Sequence, residues 1–269
     1  MRSSRWAKAW LAKHGVEVVR TNPHKPSYEQ LKGKLEELAG EIEALFAEKL
    51  YPDLPPRAGR TRMLSQLIGT SVSEALYILT FLHRSLSADG DVCEFGVAQG
   101  ATSALLATEI GPTDRHLWLF DSFEGLPAPS TKDVLIDDIF ELGSIERYRG
   151  EMSVPESEVR RRLREVDFPP ERTHVVRGFI EESVSRGELP GSVAFAYVDF
   201  DFFEPIRIAL QLLHERLSPA GSIVVDDYGF FSAGAQAAVD EFLSGHEDCY
   251  DVVHPITGAG HFIVLTRRA

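Results

Sequence analysis

Four aspartates follow two apolar runs of the sequence, at the points where those runs end. They are Asp199 and Asp201 after residues 193–198, and Asp226 and Asp227 after residues 222–225. Ionised carboxylates at the ends of buried strands need a counterion, and neighbouring strands of a parallel sheet lie only about 4.8 Å apart. The four carboxylates can therefore converge on one hard divalent cation. An all-oxygen ligand set suits Mg²⁺ or Ca²⁺ better than zinc, for which His and Cys ligands are typical.

A structural role is the alternative explanation for these aspartates, since aspartate is common at loop starts and at helix N-termini. Like charges repel one another unless something neutralises them, however, and here four acids stand at two adjacent strand ends. We therefore predict a bound cation at this place.

A second candidate site lies in residues 92–103, where an apolar run leads into a turn of small residues and then into a helical pattern. Such a turn lets a ligand approach the backbone at a helix N-terminus. The pattern from Glu94 to Gly100 is acid-x-Gly-x-Ala-x-Gly, which is not a strict dinucleotide fingerprint and is a weak signal alone. Glu94 would repel a pyrophosphate, whereas it suits a positively charged ligand such as the amino group of S-adenosylmethionine.

Two further features fit a nucleoside ligand. Asp121 ends the apolar run 116–120, about twenty residues after Gly100, where α/β nucleotide sites place the carboxylate that accepts the ribose hydroxyls. A simple loop start is the alternative for Asp121. Gly178 and Phe179 follow a third apolar run and provide a suitable edge for an adenine ring.

Four strings of the sequence together carry a resemblance to a known family. They are Glu94-Phe95-Gly96-Val97, Asp121-Ser122-Phe123-Glu124-Gly125-Leu126-Pro127, Asp199-Phe200-Asp201 with Phe203-Glu204, and Val225-Asp226-Asp227-Tyr228. With them the chain resembles the macrocin O-methyltransferase family over about residues 60–245. The resemblance implies an S-adenosylmethionine- and Mg²⁺-dependent enzyme that methylates sugar hydroxyls of glycosylated natural products, as in antibiotic biosynthesis.

The resemblance also implies a division of roles among the four aspartates. Asp199, Asp226 and Asp227 resemble the metal ligands of the family. Asp201 resembles its general base. The family has a Gly between the first two acids where this chain has Phe200, so we expect the acceptor pocket to differ from that of the relatives.

The residues that we predict to contact S-adenosylmethionine come from the small-residue turn, from the strand ends, and from a segment that resembles one folding over the cofactor in the family. They are Thr61, Met63, Glu94, Gly96, Ala98, Gly100, Thr102, Ser103, Asp121, Ser122, Gly178, Phe179 and Asp199. Histidines could compete with Asp201 for the role of base, but His214, His254 and His261 are more simply explained as surface or packing residues.

A parallel sheet is needed to bring these residues together. From Asp91 onward, short apolar runs alternate with helical patterns, which is typical of βαβ units. The predicted strands lie near 91–95, 116–121, 172–177, 193–199, 222–226, 250–254 and 261–266, and the predicted helices fill 100–110, 179–187, 204–217 and 233–245. We predict an α/β fold, a Rossmann-like class I methyltransferase sheet of about seven strands that ends in an antiparallel hairpin.

The N-terminal part of the chain has a helical pattern instead. Residues 1–88 are predicted to form a helical cap, with one helix from Tyr28 to Leu50 and a second from about 61 to 87. The methyltransferase domain would then cover residues 89–269. We expect a homo-oligomer that forms through the N-terminal helices, with plain packing onto the domain as the alternative.

Residues 128–170 do not follow the alternation of strands and helices. The segment is long, charged and contains four prolines, and structureless segments of this size are usually functional or mobile. We predict a lid or substrate-binding insert with one amphipathic helix around 155–166.

The composition excludes several classes of partner. The formal charge is −13 at pH 7, and Arg160-Arg161-Arg162 is the one basic cluster, so we expect no nucleic acid and no anionic membrane as a partner. No stretch approaches the roughly 20 apolar residues that span a bilayer, and the N-terminus lacks a continuous signal-peptide-like apolar region. We therefore expect a cytoplasmic protein. Cys93 and Cys249 form neither a disulfide framework nor a zinc spacing.

Three functional interpretations follow. The first is a metal-dependent O-methyltransferase that acts on a sugar hydroxyl of a small glycosylated substrate. The second keeps the cofactor and the metal but takes a catechol-like or other small diol as acceptor. The third is a non-catalytic nucleotide-binding or assembly module in which the acids hold a structural cation. A nicotinamide dehydrogenase is disfavoured, because Glu94 stands where the pyrophosphate would pass.

Overall fold

The computed structural model describes residues 28–268, which form a seven-stranded sheet with helices on both faces. The strands are β1 Asp91–Phe95, β2 Leu117–Asp121, β3 Thr173–Arg177, β4 Val193–Val198, β5 Leu217–Val225, β6 Tyr250–Val253 and β7 Ile263–Arg267. Their order in the sheet is β3-β2-β1-β4-β5-β7-β6. Strands β1 to β5 are parallel, and β7 runs antiparallel to both β5 and β6. The predicted sheet with its antiparallel terminal hairpin is confirmed.

The helices of the described residues alternate with these strands from β1 onward. They are α1 Tyr28–Lys49, α2 Arg60–Leu64, α3 Val72–Ser85, α4 Ala101–Ile110, α5 Glu156–Glu165, α6 Ile180–Arg186, α7 Phe203–Arg216 and α8 Ala233–Ser244. Two short 3₁₀ turns cover Ile145–Tyr148 and Pro170–Arg172. The predicted helix of the 128–170 segment is therefore present as α5.

Two predicted element boundaries are wrong. The single helix expected over 61–87 is interrupted between α2 and α3, because Gly69 adopts a φ of 90° and Ser71 caps the new helix by accepting a hydrogen bond from the Glu74 backbone N–H. Strand β5 begins at Leu217 rather than near 222. Pro219 interrupts the apolar pattern there, so the first part of the strand could not be recognised from the sequence.

Two apolar cores cover the two faces of the sheet. Strand β4 lies at the centre, and all six of its residues are buried. Its side chains alternate between the faces as the strand period requires: Phe195 and Tyr197 pack with α3, α4 and α5, whereas Ala196 and Val198 pack with α7 and α8. Helix α3, from the predicted N-terminal cap, therefore shares a core with the sheet.

A buried ion cluster attaches α1 and α2 to the rest of the chain. The guanidinium of Arg60 is 1% exposed and donates to both carboxylate oxygens of Glu109 on α4, at 2.7 and 2.9 Å. Glu43 of α1 contacts Arg60 from the other side. Burial raises the pKa of Glu109, but hydrogen bonds from His83 and Arg60 and the charge of Arg60 outweigh it and bring the pKa to about 2. Glu109 is therefore ionised, and it contacts both Arg60 and His83 within this cluster.

The 128–170 segment has a small core of its own and a polar anchor. Tyr148 is fully buried with Phe202 and Phe231. Asp133 is buried as well, and it accepts hydrogen bonds from the backbone N–H of Phe203 at the start of α7 (2.8 Å) and from the hydroxyl of Ser232 (3.2 Å). These contacts hold the segment beside the ends of β4 and β5. Its action as a lid stays a prediction.

Across residues 28–268, no helix has both the length and the apolar character needed to cross a bilayer.

Candidate active site

A cavity of about 500 Å³ opens at the carboxyl ends of the five parallel strands. This size is within the range of small-molecule sites, and the carboxyl ends of parallel strands are where open α/β sheets bind ligands. Ten of the predicted site residues line the cavity: Gly96, Ala98, Asp121, Ser122, Gly178, Phe179, Asp199, Asp201, Asp226 and Asp227. The structure thus brings the predicted cofactor side and the predicted acid side into one site.

Asp121 organises the turn that follows β1. Its Oδ2 accepts hydrogen bonds from the backbone N–H groups of Val97 (2.7 Å) and Ala98 (3.0 Å), and its Oδ1 accepts one from Phe123 (2.6 Å). Ala98 has a φ of 44°, which is uncommon for a residue with a side chain. A carboxylate has about four lone-pair sites, so Asp121 retains acceptor capacity toward a ligand in the cavity.

Gly96 joins the two sides of the site at the backbone. It has a φ of 84°, and an ideal Cβ at this position would lie 1.8 Å from the carbonyl oxygen of Asp199. The Asp199 backbone N–H in turn donates to the carbonyl of Phe95 at 2.7 Å. Only glycine allows the end of β1 to approach the end of β4 so closely.

Glu94 lies beneath the turn and does not line the cavity. Its side chain is buried and accepts a hydrogen bond from the hydroxyl of Ser103 on α4. Burial, with a smaller contribution from Asp121, raises the pKa of Glu94 to about 8, and the Ser103 hydrogen bond opposes this rise. Glu94 and Ser103 therefore connect β1 to α4 below the position predicted for the cofactor.

Four other predicted cofactor residues also lie outside the cavity lining. Thr61 donates to Glu43 at 2.7 Å, and Met63 lies against Thr108. Gly100 packs against the backbone of Val159 in α5. Thr102 is buried, 3.4 Å from the hydroxyl of Thr70. The direct cofactor contacts assigned to Thr61, Met63, Gly100 and Thr102 stay predictions.

The acid side of the cavity contains a compact carboxylate cluster. Asp199, Asp201 and Asp227 each offer an oxygen within 4.8 Å of the others. Burial raises the pKa of all three, and the neighbouring carboxylates raise them further, that of Asp227 to about 10. A cation at the centre of the cluster would relieve this repulsion and favour the ionised forms.

Asp226 stands beside this cluster and accepts one hydrogen bond on each of its carboxylate oxygens. Its Oδ2 accepts a hydrogen bond from the hydroxyl of Tyr197 at 2.7 Å, and its Oδ1 accepts one from the backbone N–H of Asp227 at 2.8 Å. The three acids that the structure groups are therefore Asp199, Asp201 and Asp227, whereas the predicted ligand set has Asp226 in place of Asp201.

Two of the acids are held in an unusual backbone conformation. Asp201 has a φ of 60° and Asp227 a φ of 56°, the left-handed region that aspartate tolerates better than most residues. Such conformations persist only where the surroundings enforce them, and they cluster at functional sites.

A buried tyrosine links the carboxylates of this site to a fifth acid, Glu74 of α3. The hydroxyl of Tyr197 lies 2.7 Å from Asp226, 3.4 Å from Asp199 and 3.5 Å from Glu74 of α3. Burial and the carboxylate of Asp226 raise the pKa of Glu74 well above its ordinary value. Neither residue could be selected from the sequence, because Tyr197 lies within an apolar strand and Glu74 within an amphipathic helix.

Part of the cavity lining, termed here the apolar end, consists of apolar side chains, and most of them could not be selected from the sequence. It is lined by Leu126, Ile139, Phe140, Met152, Val154 and Phe230. Four of these residues come from the 128–170 segment. Ile139 and Phe140 are 38% and 48% exposed, so they present apolar surface to a ligand. The cavity thus combines an acidic end with an apolar end.

Solved structures with the same architecture define the class of this protein. The O-methyltransferase NovP superposes with a TM-score of 0.63 at 20% identity, covering 87% of this chain and 100% of its own. A calicheamicin methyltransferase superposes with a TM-score of 0.56 at 21% identity, covering 90% of this chain and 94% of its own. The fold is that of a Rossmann-like class I methyltransferase.

The sequence comparisons identify the family. The profile of Macrocin-O-methyltransferase (TylF) matches residues 81–262. The chain belongs to the macrocin O-methyltransferase family, as its sequence strings indicate.

Curated relatives match over part of the chain. The 8-demethyl-8-(2,3-dimethoxy-alpha-L-rhamnosyl)-tetracenomycin-C 4'-O-methyltransferase of Streptomyces olivaceus is 28% identical over 176 residues, which is 64% of this chain and 65% of that protein. The demethyldecarbamoylnovobiocin O-methyltransferase of Streptomyces niveus is 28% identical over 156 residues, 57% of this chain and 58% of that protein. The chain thus matches less than two thirds of the length of either relative.

Proposed function

We propose that this protein is an O-methyltransferase that uses S-adenosylmethionine and a divalent metal ion to methylate a sugar hydroxyl of a glycosylated natural product. The observation that carries the proposal is the single cavity that joins a nucleoside-type turn to a carboxylate cluster and an apolar end. The family membership and the sugar named in the tetracenomycin relative support it.

The cofactor side of the cavity fits S-adenosylmethionine. Gly96 and Gly178 have φ values of 84° and 126° and no side chain, so a ligand can approach the backbone closely. Asp121 would hold the ribose hydroxyls, and Phe179, which lines the cavity, would cover the adenine. Bound S-adenosylmethionine supplies a methyl group on a positively charged sulfur, which is already strongly electrophilic.

The acid side fits a hard divalent cation. All donors are carboxylate oxygens, and three of them lie within 4.8 Å of one another, which matches the ligand preference of Mg²⁺. Asp199 and Asp227 would hold the ion together with either Asp201 or Asp226. A bound divalent ion would supply positive charge that lowers the pKa of a sugar hydroxyl and fixes its orientation.

The remaining chemistry belongs to the protein. Asp201 lines the cavity and would take the proton of the acceptor hydroxyl as the new bond forms. Its left-handed backbone holds the carboxylate in one place, and the contact of Gly96 with Asp199 fixes the distance between the cofactor side and the acids. Holding two reactants in line converts a bimolecular step into an effectively unimolecular one.

The apolar end points to an acceptor that carries an apolar part as well as a sugar. The sugar would occupy the acidic end, where its hydroxyls meet the carboxylates. The apolar part would lie against Ile139, Phe140 and Met152, where burial of apolar surface contributes roughly 25 cal/mol per Å².

The test is methyl transfer from labelled S-adenosylmethionine to a panel of glycosylated natural products, their aglycones and small catechols. We expect transfer to glycosides, a roughly 10²–10⁴-fold loss of rate in Asp201→Asn, and retained calorimetric binding of S-adenosylhomocysteine by that variant. Asp240→Asn is the matched control, since Asp240 is an exposed acid outside the cavity that bonds Tyr228.

Three outcomes would redirect the proposal. Full activity after removal of metal with EDTA would exclude the metal role. Transfer to catechols but not to glycosides would assign a small-diol acceptor. Absence of both turnover and S-adenosylhomocysteine binding would leave only a non-catalytic module.

A further inference from the structure

His261 contacts a side chain of the apolar end without lining the cavity itself. It lies in the loop between β6 and β7, residues 254–262, and is exposed to solvent. Its imidazole stacks on the ring of Phe230, with the ring centroids 4.7 Å apart and an angle of 18° between the planes. Phe230 lines the cavity. A residue of the β6–β7 loop therefore supports part of the cavity wall.

The backbone of His261 holds the turn that leads to Phe230. Its carbonyl oxygen accepts a hydrogen bond from the backbone N–H of Tyr228 at 2.7 Å. The turn continues through Gly229, which has a φ of 77°, and the backbone N–H of Phe230 donates to the carbonyl oxygen of Asp227 at 3.1 Å. These bonds fix the backbone of the turn, and the imidazole adds a contact with the ring at its end.

The β6–β7 loop is itself attached to α3. The hydroxyl of Ser71, at the N-terminus of α3, donates to the carbonyl oxygen of Ala259 at 2.9 Å. The backbone N–H of Ile256 donates to the hydroxyl of Tyr77 at 3.2 Å, and Ala259 is 3% exposed. Because the loop is tied to a helix of the main core, the imidazole of His261 has a fixed base from which it meets the Phe230 ring.

We propose that His261 is a positioning residue for the acceptor, because its imidazole holds the ring of Phe230 in the orientation that shapes the apolar end of the cavity. The inference rests on the methyltransferase function proposed above, which assigns the apolar part of the acceptor to that end. Loss of a stacked aromatic pair weakens an interaction about 2- to 10-fold. The β6–β7 loop thus contributes to acceptor specificity together with the 128–170 segment.

The first test is the steady-state kinetics of His261→Ala with the glycosides that the acceptor panel identifies. We expect the KM for the glycoside to rise about 2- to 10-fold. The kcat and the KM for S-adenosylmethionine should stay within about twofold of the wild type, since the change affects acceptor binding alone. The variant keeps the backbone bond to Tyr228, so it tests the ring only. His261→Phe restores a flat ring and should return the KM to its wild-type value.

His254→Ala is the matched control. His254 is an exposed histidine of the same loop, but its ring contacts Tyr228, which does not line the cavity. The control variant should keep the wild-type KM for the glycoside. Thermal unfolding establishes that each variant is folded.

The second test observes the contact without an acceptor. The protein is labelled with 4-fluorophenylalanine, and the fluorine resonance of Phe230 is identified by its absence in Phe230→Leu. We expect this resonance to shift in His261→Ala, because the stacked imidazole is removed, and to keep its position in His254→Ala.

The outcomes separate this inference from the proposed function. A glycoside KM that His261→Ala leaves unchanged, or a Phe230 resonance that does not shift, would overturn the inference and leave the proposed function intact. A fall in kcat and a rise in both KM values would assign His261 a general packing role, which also overturns it. A panel in which no glycoside is methylated would overturn the proposed function, and the acceptor role of His261 with it.

Discussion

Substitution of Gly96 by alanine tests whether the cofactor side and the acid side are held together by backbone contact. The new Cβ would lie 1.8 Å from the carbonyl oxygen of Asp199 and 2.7 Å from its carbonyl carbon. Both atoms are backbone, so the turn after β1 must move away from the end of β4 by about 1 Å, and a displacement of that size near a reacting centre can lower the rate about 100-fold. The φ of 84° adds about 1–2 kcal/mol of strain.

Gly187→Ala is the matched control for this variant. Gly187 has a φ of 72°, but nothing lies within 4 Å of the position that its Cβ would take. It therefore carries the conformational strain without the collision. The difference between the two variants isolates the effect of the displaced turn.

Calorimetric binding of S-adenosylhomocysteine and thermal unfolding are the two measurements. Gly187→Ala should lower the melting temperature by a few degrees and keep the affinity of the wild type. Gly96→Ala should bind the ligand more weakly than the control, and its rate of methyl transfer should fall by about 100-fold. An affinity for Gly96→Ala within about threefold of the control would refute the argument that this contact fixes the site.

The remaining predictions concern the buried ion cluster of Glu109, the hydroxyl of Tyr197 and the apolar end of the cavity. Glu109→Gln should lower the free energy of unfolding at pH 7 by about 3 kcal/mol, since it breaks the buried ion pair and leaves Arg60 with Glu43 as its remaining carboxylate partner. The folded-state pKa of about 2 lies below the ordinary value of 4.5, so the contribution is complete above about pH 4.5 and disappears toward pH 2. Denaturant titrations across this range check it, and a difference between variant and wild type that does not change with pH would contradict the assignment. Tyr197→Phe removes the donor to Asp226, and the Mg²⁺ concentration for half-maximal activity should rise about tenfold while S-adenosylhomocysteine binding is unchanged; a loss of both would indicate a general packing defect. Phe140→Ala should raise the KM for a glycosylated acceptor several-fold and leave the KM for S-adenosylmethionine unaltered, and steady-state kinetics distinguish this from a uniform loss.

The sheet could be predicted from the sequence because each strand is a short apolar run bounded by turn residues. Strand β1 was predicted with its observed bounds, and most other strands differ from their predicted ranges by only one or two residues. The exception is β5, where Pro219 and Gly221 interrupt the pattern although the backbone continues as a strand. Local patterns failed where a glycine or a capping serine ends a helix whose apolar periodicity continues, as between α2 and α3.

The residues of the candidate site could be predicted where acidic side chains stand at the carboxyl ends of parallel strands. Asp121, Asp199 and Asp227 line the cavity because each follows a parallel strand and the ends of those strands share one edge of the sheet. Glu94 lies outside the cavity lining, and its predicted contact with the cofactor stays a prediction. Strand residues alternate in direction, and the side chain of Glu94 points into the core toward Ser103 rather than into the cavity.

The other missed residues come from the 128–170 segment and from hydrogen bonds between distant residues. Phe140 and Met152 line the cavity because of the way an irregular segment folds, and the apolar residues of that segment show neither helical nor strand periodicity. The contact of Tyr197 with Glu74 joins residues 123 positions apart. Such contacts depend on tertiary structure and leave no local signal in the sequence.

For the O-methyltransferase function proposed above, the position of the 128–170 segment between β2 and β3 would determine how new acceptors can be acquired. The residues of the apolar end are encoded largely by one continuous stretch of chain, whereas the turn after β1 and the acids after β4 and β5 are encoded elsewhere. Because Asp133 fixes the stretch at the start of α7, an exchange of residues 134–154 between relatives would replace the apolar wall and keep the anchor. Under the proposed function, acceptor specificity and methyl transfer could therefore change independently, because recombination could exchange this one segment and leave the acids in place.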